Sequence, residues 1–312
     1  MDKYHLFEEI GNGKLSQVYK GREKRGVEFF AIKRVDKSRM AEVVHEVQVM
    51  HKLRDEHCLR FFDWYETRNN LWLILEFAAG GNLMALLQKD GPMPEAAVKV
   101  FGVDLMAGLL YLHSSGLIFG DVKPSNILLD EYGVLKYADF SLCREIPKQK
   151  ETIPAKGMTR GTPHYMAPEL FLSNGVHSFA SDLWSLGIVL YELRTGKLPF
   201  RKRSLRELMR CIFKQEPQLN GGRQAHTEAS EDLKDLVMWL LEKDCRERAT
   251  WAELLDHPFW DGFNPPEHRT LPAQPFWESR FQRGSEANAP GALPSQADIA
   301  EELDNYELDV SK

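Results

Sequence analysis

The 312-residue sequence is poor in cysteine and has no excess of positive charge. Its four cysteines lack CxxC spacing, so they predict neither a zinc site nor a disulfide framework and favour a reducing compartment. With 40 basic and 46 acidic residues, the net charge is −6, which disfavours sequence-independent binding of nucleic acid. The N-terminus has no apolar signal core, and no apolar run reaches the ~18–20 residues that span a bilayer. We therefore expect neither secretion nor membrane insertion.

Strand and helix patterns divide the chain into two unequal parts. Residues 1–76 carry five short patterns rich in β-branched and aromatic residues, and one helical pattern at 41–53 interrupts them. Beyond residue 77 the period changes, and helices are predicted at 95–113, 181–194, 205–214 and 231–241. The sequence therefore predicts a small strand-rich domain at 1–76 and a larger helical one at 77–263.

Composition changes again at the C-terminal end. Residues 265–312 contain 6 of the 16 prolines, and residues 298–309 are acidic. Proline at this density disfavours regular structure, so 264–312 is predicted to be a largely disordered tail. The alternative is that its aromatic residues Phe276, Trp277 and Phe281 dock on one of the lobes.

A glycine-containing stretch near the N-terminus lies between two strand patterns. It reads Gly11-x-Gly13-x-x-Ser16-x-Val18, and glycine lets backbone approach phosphate oxygens closely. A hairpin turn explains the same glycines. A dinucleotide-binding loop also fits, with Asp36 as its ribose-binding acid, but that loop requires a helix directly after it, and residues 16–26 read as strand and turn.

A lysine ends the apolar run Phe30-Ala31-Ile32-Lys33. It is either an edge-strand lysine that faces water or a phosphate ligand whose ammonium group a carboxylate holds in place. Glu46, one helical turn before Met50, is the preferred partner, and Glu42 lies on a similar face of the predicted helix.

The strongest signal is Asp121-Val122-Lys123-Pro124-Ser125-Asn126, which follows the long apolar helix pattern. An aspartate can accept the proton of a reacting hydroxyl, and a lysine two residues later can neutralise a moving phosphoryl group. The Asn126 amide oxygen and the carboxylate of Asp139, eighteen residues after Asp121, are ligands suited to magnesium. Any one of these pieces fits a polar loop, but their joint occurrence in this order indicates phosphoryl transfer.

In this arrangement the chain resembles the eukaryotic protein kinases of the Ser/Thr type over about residues 4–260. Ala167-Pro168-Glu169 matches the end of the activation segment, with Arg248 as the expected partner of Glu169. Asp182 is expected to bind the backbone of the catalytic loop, and Lys123 with Thr162 is the Ser/Thr pattern. Residues 4–13, 63–67 and 71–73 look most like the Fused-related and autophagy-initiating (Unc-like) kinases, whose branch also contains pseudokinases.

The resemblance implies an α+β, bilobal fold, with a small five-stranded antiparallel sheet and one helix above a mainly helical lobe. It also implies ATP and Mg²⁺ as cofactors and assigns residues to them. The residues expected to cover the phosphates are Gly11, Gly13 and Ser16, and Lys33, held by Glu46, would bind them. The catalytic residues would be Asp121, Lys123 and Asn126. The metal ligands would be Asn126 and Asp139. Adenine would lie among Ile10, Val18, Ala31 and Leu128, with Leu75 as gatekeeper and the hinge backbone at Glu76 and Ala78.

Three positions depart from the family pattern. Ser16 replaces a glycine of the loop, and Ser141 replaces the glycine after Asp139-Phe140. Phe119-Gly120-Asp121 stands where the family has His-Arg-Asp. Phe119 can still join an apolar stack, which we expect to contain Met50, Phe61 and Phe140. Gly120 removes the arginine that pairs with a phosphate on the activation segment.

Every group expected to touch ATP, magnesium or the acceptor hydroxyl is present, which favours an active enzyme. The alternative is a nucleotide-binding pseudokinase that acts as a scaffold or allosteric partner. The expected partners are a protein substrate with a Ser or Thr acceptor and regulatory proteins. A cytoplasmic location is expected, and association with the cytoskeleton is left open.

Overall fold

The computed structural model describes residues 3–13, 16–147, 150–155, 161–219 and 228–262. The predicted tail at 264–312 lies outside these residues. The boundary predicted between the two lobes, at residue 76, coincides with the end of the last strand of the N-terminal sheet.

The N-terminal lobe is built on an antiparallel sheet of five strands in the order β1-β2-β3-β5-β4. The strands are β1 (Tyr4–Gly13), β2 (Ser16–Glu23), β3 (Phe29–Asp36), β4 (Phe61–Glu66) and β5 (Asn70–Glu76). The predicted patterns fall within these strands except for Arg60, one residue before β4, and β1 and β2 extend well beyond the two residues first expected of each. The backbone pairing of the β1–β2 hairpin explains the difference, because it draws polar residues and glycines into both strands.

One helix, α1 (Met40–Lys52), packs against this sheet. Its buried residues are Val43, Glu46, Val49 and Met50, which recur at helical spacing on one face. Glu46 is therefore the one ionisable side chain in an apolar stripe. The predicted helix at 41–53 is shifted by one residue because Leu53 is already extended.

The C-terminal lobe is mainly helical, and its short strands mark the connections that reach the cleft. The helices are α2 (Leu83–Asp90), α3 (Glu95–Ser114), α4 (Phe179–Thr195), α5 (Leu205–Lys214), α6 (Glu231–Leu240) and α7 (Trp251–Leu255). The strands are β6 (Gly81–Asn82), β7 (Leu117–Ile118), β8 (Ile127–Leu129), β9 (Leu135–Tyr137), β10 (Arg144–Glu145), β11 (Ile153–Pro154) and β12 (Val176–His177). They form the antiparallel sets β6-β8-β9, β10-β7 and β11-β12. The α+β, bilobal prediction is confirmed.

Helix α3 corrects one expectation from the sequence. By length and composition alone its 20 residues suffice to cross a membrane, so the statement that no run is long enough was wrong. Most of that apolar window, 61%, is buried inside the protein. Leu105, Leu109 and Leu112 of this helix are fully buried and belong to the main core, which accounts for its hydropathy.

A buried ion pair ties the end of the activation segment to the C-terminal part of the lobe. Arg248 donates to both carboxylate oxygens of Glu169, at 2.8 and 3.0 Å, and to the carbonyls of Ala180 and Glu242 at 2.7 and 2.9 Å. The two charged side chains are 0% and 1% exposed. The predicted pairing of Glu169 with Arg248 is confirmed.

We predict that Arg248→Met lowers the free energy of unfolding by about 3–5 kcal/mol, because it removes the guanidinium partner of the buried Glu169 carboxyl group. Equilibrium unfolding in urea measures this. Lys234→Met, which removes the Lys234–Glu231 pair whose glutamate is 89% exposed, is the matched control and is expected to change stability far less. Equal losses in the two variants would contradict the prediction.

Candidate active site

Lys33 and Glu46 meet between β3 and α1. The Lys33 ammonium lies 2.7 Å from Glu46 Oε1, and both side chains are largely buried. Burial by itself would lower the pKa of Lys33, but the Glu46 and Asp139 carboxylates outweigh it and raise the pKa, so the lysine stays charged. Glu42 pairs instead with Arg39 on the adjoining turn, which settles the choice between the two glutamates.

Asp139 approaches the same ammonium from the C-terminal lobe, with Oδ1 at 3.5 Å from Lys33 Nζ. Its φ of 64° is the one left-handed value among the described non-glycine residues, a conformation that costs about 1–3 kcal/mol. The carboxylate is 46% exposed. The surrounding protein disfavours its ionisation, but the Lys33 charge and a hydrogen bond with Ser141 prevail and lower the pKa of Asp139. Ser141 thus supports the carboxylate that follows β9.

Three polar side chains of the loop between β7 and β8 bind one another. Asp121 Oδ2 accepts hydrogen bonds from Lys123 Nζ at 2.5 Å and from Asn126 Nδ2 at 2.9 Å. Lys123 also donates to Thr162 Oγ1 at 2.9 Å, which links the loop to the activation segment. The predicted catalytic residues therefore lie together, and within the described ranges the other carboxylate oxygen of Asp121 has no hydrogen-bond partner.

Asn126 and Asp139 form a donor set that suits magnesium. The amide nitrogen of Asn126 is bound to Asp121, and among the described residues its Oδ1 has no hydrogen-bond partner. The Asn126 carbonyl accepts from Ala138 N at 2.8 Å, which holds the residue beside Asp139. One amide and one carboxylate oxygen leave most positions of an octahedral ion to phosphates and water, as Mg²⁺ requires. No cluster of three or more His, Cys, Asp or Glu ligands occurs in the described part of the chain.

Most of the residues assigned to adenine pack in one apolar cluster. Ala31 and Leu75 are buried partners across β3 and β5, and Val18 and Leu128 pack against the same core. Ile10 is 44% exposed and does not belong to this cluster.

The hinge follows β5. The N–H of Glu76 is not available to a ligand, because it donates to the Arg60 carbonyl at 2.9 Å. Within the described residues the N–H of Ala78 has no partner, so it is the hinge donor that this backbone offers.

The glycine stretch is a hairpin rather than an open loop in its described part. Gly11 pairs with Val18 and Gly13 with Ser16 across β1 and β2. A Cβ on Gly13 would lie 3.0 Å from Ser16 Oγ, so Gly13 and the Ser16 side chain are close neighbours across the hairpin. The hairpin interpretation of the glycines is therefore correct for the backbone, and a helix does not follow Ser16, which excludes the dinucleotide-binding arrangement.

Asp182 holds the backbone of the catalytic loop from helix α4. Its carboxylate accepts from Phe119 N at 2.7 Å and from Gly120 N at 2.9 Å, as predicted. The sequence analysis missed His113, whose Nε2 lies 2.9 Å from Asp182 Oδ2 and whose Nδ1 accepts from Trp251 Nε1 at 3.0 Å. Nδ1 can accept only if it carries no proton, and burial lowers the pKa of His113, so the ring is neutral and donates to Asp182.

One contact of the predicted apolar stack is present beneath these groups. Phe119 and Phe140 are fully buried and meet edge to face at 5.6 Å. Met50 is buried in the same main core and Phe61 packs against that core, so the full four-residue stack stays a prediction.

Comparison with known proteins agrees with this geometry. The protein kinase domain profile matches residues 4–260. The chain is 48% identical over 261 residues to serine/threonine-protein kinase RUNKEL of Arabidopsis thaliana, covering 83% of this chain and 18% of that protein. It is 36% identical over 281 residues to serine/threonine-protein kinase ULK4 of Mus musculus, covering 83% and 22%. For serine/threonine-protein kinase 36 of Pongo abelii the identity is 34% over 267 residues, covering 84% and 20%.

The chain thus spans about a fifth of the length of these relatives. The profile covers both lobes and every group of the cleft described above, and the relatives are serine/threonine kinases of the predicted Fused-related and Unc-like branch. The chain belongs to the protein kinase family.

Proposed function

We propose that this protein transfers the γ-phosphoryl group of ATP to a Ser or Thr hydroxyl of a protein substrate. The observation that supports this most is the continuous set of contacts from Glu46 through Lys33 to Asp139, together with the Asp121–Lys123–Asn126 cluster. These are the groups that phosphoryl transfer needs for positioning and charge neutralisation.

Each residue has a defined part in this reaction. Lys33, held by Glu46, contacts the phosphates of the nucleotide. Asp121 orients the acceptor hydroxyl and takes its proton as the new O–P bond forms and the bond to the β-phosphate oxygen breaks. Lys123 neutralises charge on the group in transit. Asn126 and Asp139 would hold Mg²⁺, which supplies further neutralisation when bound.

The pocket for the nucleoside is inferred from the same cleft. Val18, Ala31 and Leu128, with Leu75 behind them, provide apolar surface for adenine, and the Ala78 N–H provides the hinge donor. Ile10, Gly11, Gly13 and Ser16 would cover the nucleotide from the β1–β2 hairpin, and the Glu76 carbonyl is the second hinge group.

A cytoplasmic location and regulatory protein partners belong to the same proposal. The four cysteines are free and buried, which suits a reducing compartment. The much greater length of the relatives provides further segments through which such proteins could contact partners.

Regulation by the activation segment is expected to differ from the arginine route. Gly120 has a φ of 79°, and a Cβ at this position would lie 2.9 Å from the Leu142 carbonyl oxygen. The backbone conformation at this position therefore requires glycine. Glycine also leaves the position without the arginine guanidinium of the family pattern. Instead, backbone pairing of β11 with β12 and the Ala155 N–H to Gly175 carbonyl bond, at 2.8 Å, hold the segment against the C-terminal lobe.

We predict that Asp121→Asn abolishes magnesium-dependent transfer from labelled ATP to Ser/Thr peptides and to the protein itself, while nucleotide affinity changes little. The amide keeps the shape but cannot accept the proton. Nucleotide binding by fluorescence and transfer by radiolabel are measured on the same preparation, with Asp63→Asn on β4 as the control. Nucleotide binding by the parent without any transfer would favour the pseudokinase scaffold instead.

We predict that Thr152→Ala and Thr159→Ala each retain most of the parent's phosphotransferase activity, because the arginine that would read a phosphate is absent. Thr159 lies outside the described residues, whereas Thr152 directly precedes β11. Steady-state peptide phosphorylation measures this. Loss of most activity in either variant, with recovery on substitution by Asp, would show that a phosphate switch operates.

We predict that Gly120→Ala lowers the free energy of unfolding by more than Gly116→Ala does. The φ values are 79° and 78°, so each variant carries the strain of a positive φ on an L residue. An added Cβ on Gly116 lies 3.9 Å from its nearest neighbour, the Ile146 carbonyl oxygen, whereas one on Gly120 lies 2.9 Å from the Leu142 carbonyl oxygen. Urea unfolding compares the two, and equal losses would refute a steric requirement at Gly120.

A further inference from the structure

A basic surface lies on the C-terminal lobe of this acidic protein. Arg201, Lys202 and Arg203 are consecutive and exposed. Arg206 and Arg210 follow on α5, and the segment from 201 to 210 contains one acidic residue, Glu207, in a chain whose net charge is −6. We call the three consecutive residues the basic run.

The basic run is held at both ends. Phe200, which precedes it, is 1% exposed and stacks on Trp184 with ring centroids 5.9 Å apart and planes 12° apart. After Ser204 the chain enters α5, which buries Leu208 and Ile212 in the core. The positive charges are therefore presented at a fixed place rather than on a freely moving loop.

That place adjoins the acceptor site. His164 Nε2 lies 3.3 Å from the carbonyl oxygen of Lys202. His164 follows Thr162 by two residues, and Thr162 binds the same Lys123 that contacts Asp121. From these contacts the basic run lies on the order of 10–20 Å from Asp121, which is about three to six residues of extended peptide.

The charges of the run differ in what surrounds them. Burial raises the pKa of Glu192, and the positive charge of Arg201 opposes that rise, so Arg201 acts on this glutamate. Neither Lys202 nor Arg203 forms an ion pair with any residue in the described ranges. Both residues lie directly before the N-terminus of α5, which is the positive end of the helix dipole. Positive charge there is unfavourable, so these side chains do not stabilise the helix.

We propose that the basic run binds acidic residues of the protein substrate, centred on Lys202 and Arg203, three to six residues from the Ser or Thr acceptor. This rests on the proposed function and specifies its substrate class. The charge complementarity favours an acidic peptide over a nucleic acid, because the run is short and the chain as a whole is acidic.

The test measures peptide binding to the full chain by fluorescence anisotropy, without nucleotide. The probe is a labelled peptide with one central Ser and Glu residues three to six positions away, with versions carrying the Glu residues on either side. Its twin has Gln in place of every Glu. The variants are Lys202→Glu/Arg203→Glu and, as a control with the same change of net charge, Lys24→Glu/Arg25→Glu at the exposed β2–β3 turn.

We expect the parent and the Lys24/Arg25 control to bind a Glu peptide about tenfold more tightly than its twin, with a preference that weakens as salt rises. In Lys202→Glu/Arg203→Glu this preference should fall to near one. The ratio of kcat/KM values for the two peptides should follow the same pattern.

Any of three binding results would overturn the proposal: no preference in the parent, an equal loss in both double variants, or tighter binding of a single-stranded oligonucleotide of matched charge. Anisotropy measures binding and needs no phosphoryl transfer. If the protein binds acidic peptides preferentially but transfers no phosphoryl group, the proposed function is wrong and the acidic-peptide site is retained. If it phosphorylates the Glu and Gln peptides equally well, the acidic-peptide site is wrong and the proposed function is retained.

Discussion

The cleft of this protein depends on one ammonium group that two lobes share. Lys33 extends from the small sheet, Glu46 reaches it from α1 and Asp139 approaches it from the other lobe. A buried ammonium group without a partner is strongly unfavourable. The arrangement that brings both the Glu46 and the Asp139 carboxylates near Lys33 is therefore stabilised. The left-handed backbone of Asp139 is the strained part of that arrangement, and the surrounding contacts maintain it.

The loop that contains Asp121 depends on a second buried group, the Asp182 carboxylate on α4. Asp182 accepts two backbone hydrogen bonds from the loop and one from neutral His113, whose other nitrogen is occupied by Trp251. This chain of bonds runs from α7 through α3 and α4 to the backbone of Phe119 and Gly120, so the core of the C-terminal lobe positions the residues directly before Asp121. The apolar contact between Phe119 and Phe140 then connects that loop to the residue directly after Asp139.

The departures from the family pattern fall around this machinery rather than within it. Gly120 alters the residue beside the catalytic aspartate but not its two neighbours in the cluster, Lys123 and Asn126. Ser141 replaces a flexible glycine and contributes a hydrogen bond to Asp139. The consequence is a cleft in which the candidate site residues lie together, and an activation segment held by backbone pairing and by the buried Glu169–Arg248 pair.

The sequence by itself determined the order of the main helices and strands and offered the candidate site residues, because periodicity and motif spacing are local properties. It predicted α1, α3, α4, α5 and α6 to within two residues at each end, and it placed Asp121, Asn126 and Asp139 on the correct connections. It preferred Glu46 over Glu42 without excluding Glu42, and the packing of α1 against the sheet decided between them by turning Glu46 inward. It gave no sign of His113, of the left-handed Gly120 or of the contact between His164 and Lys202, since each depends on residues that meet only after distant segments have packed.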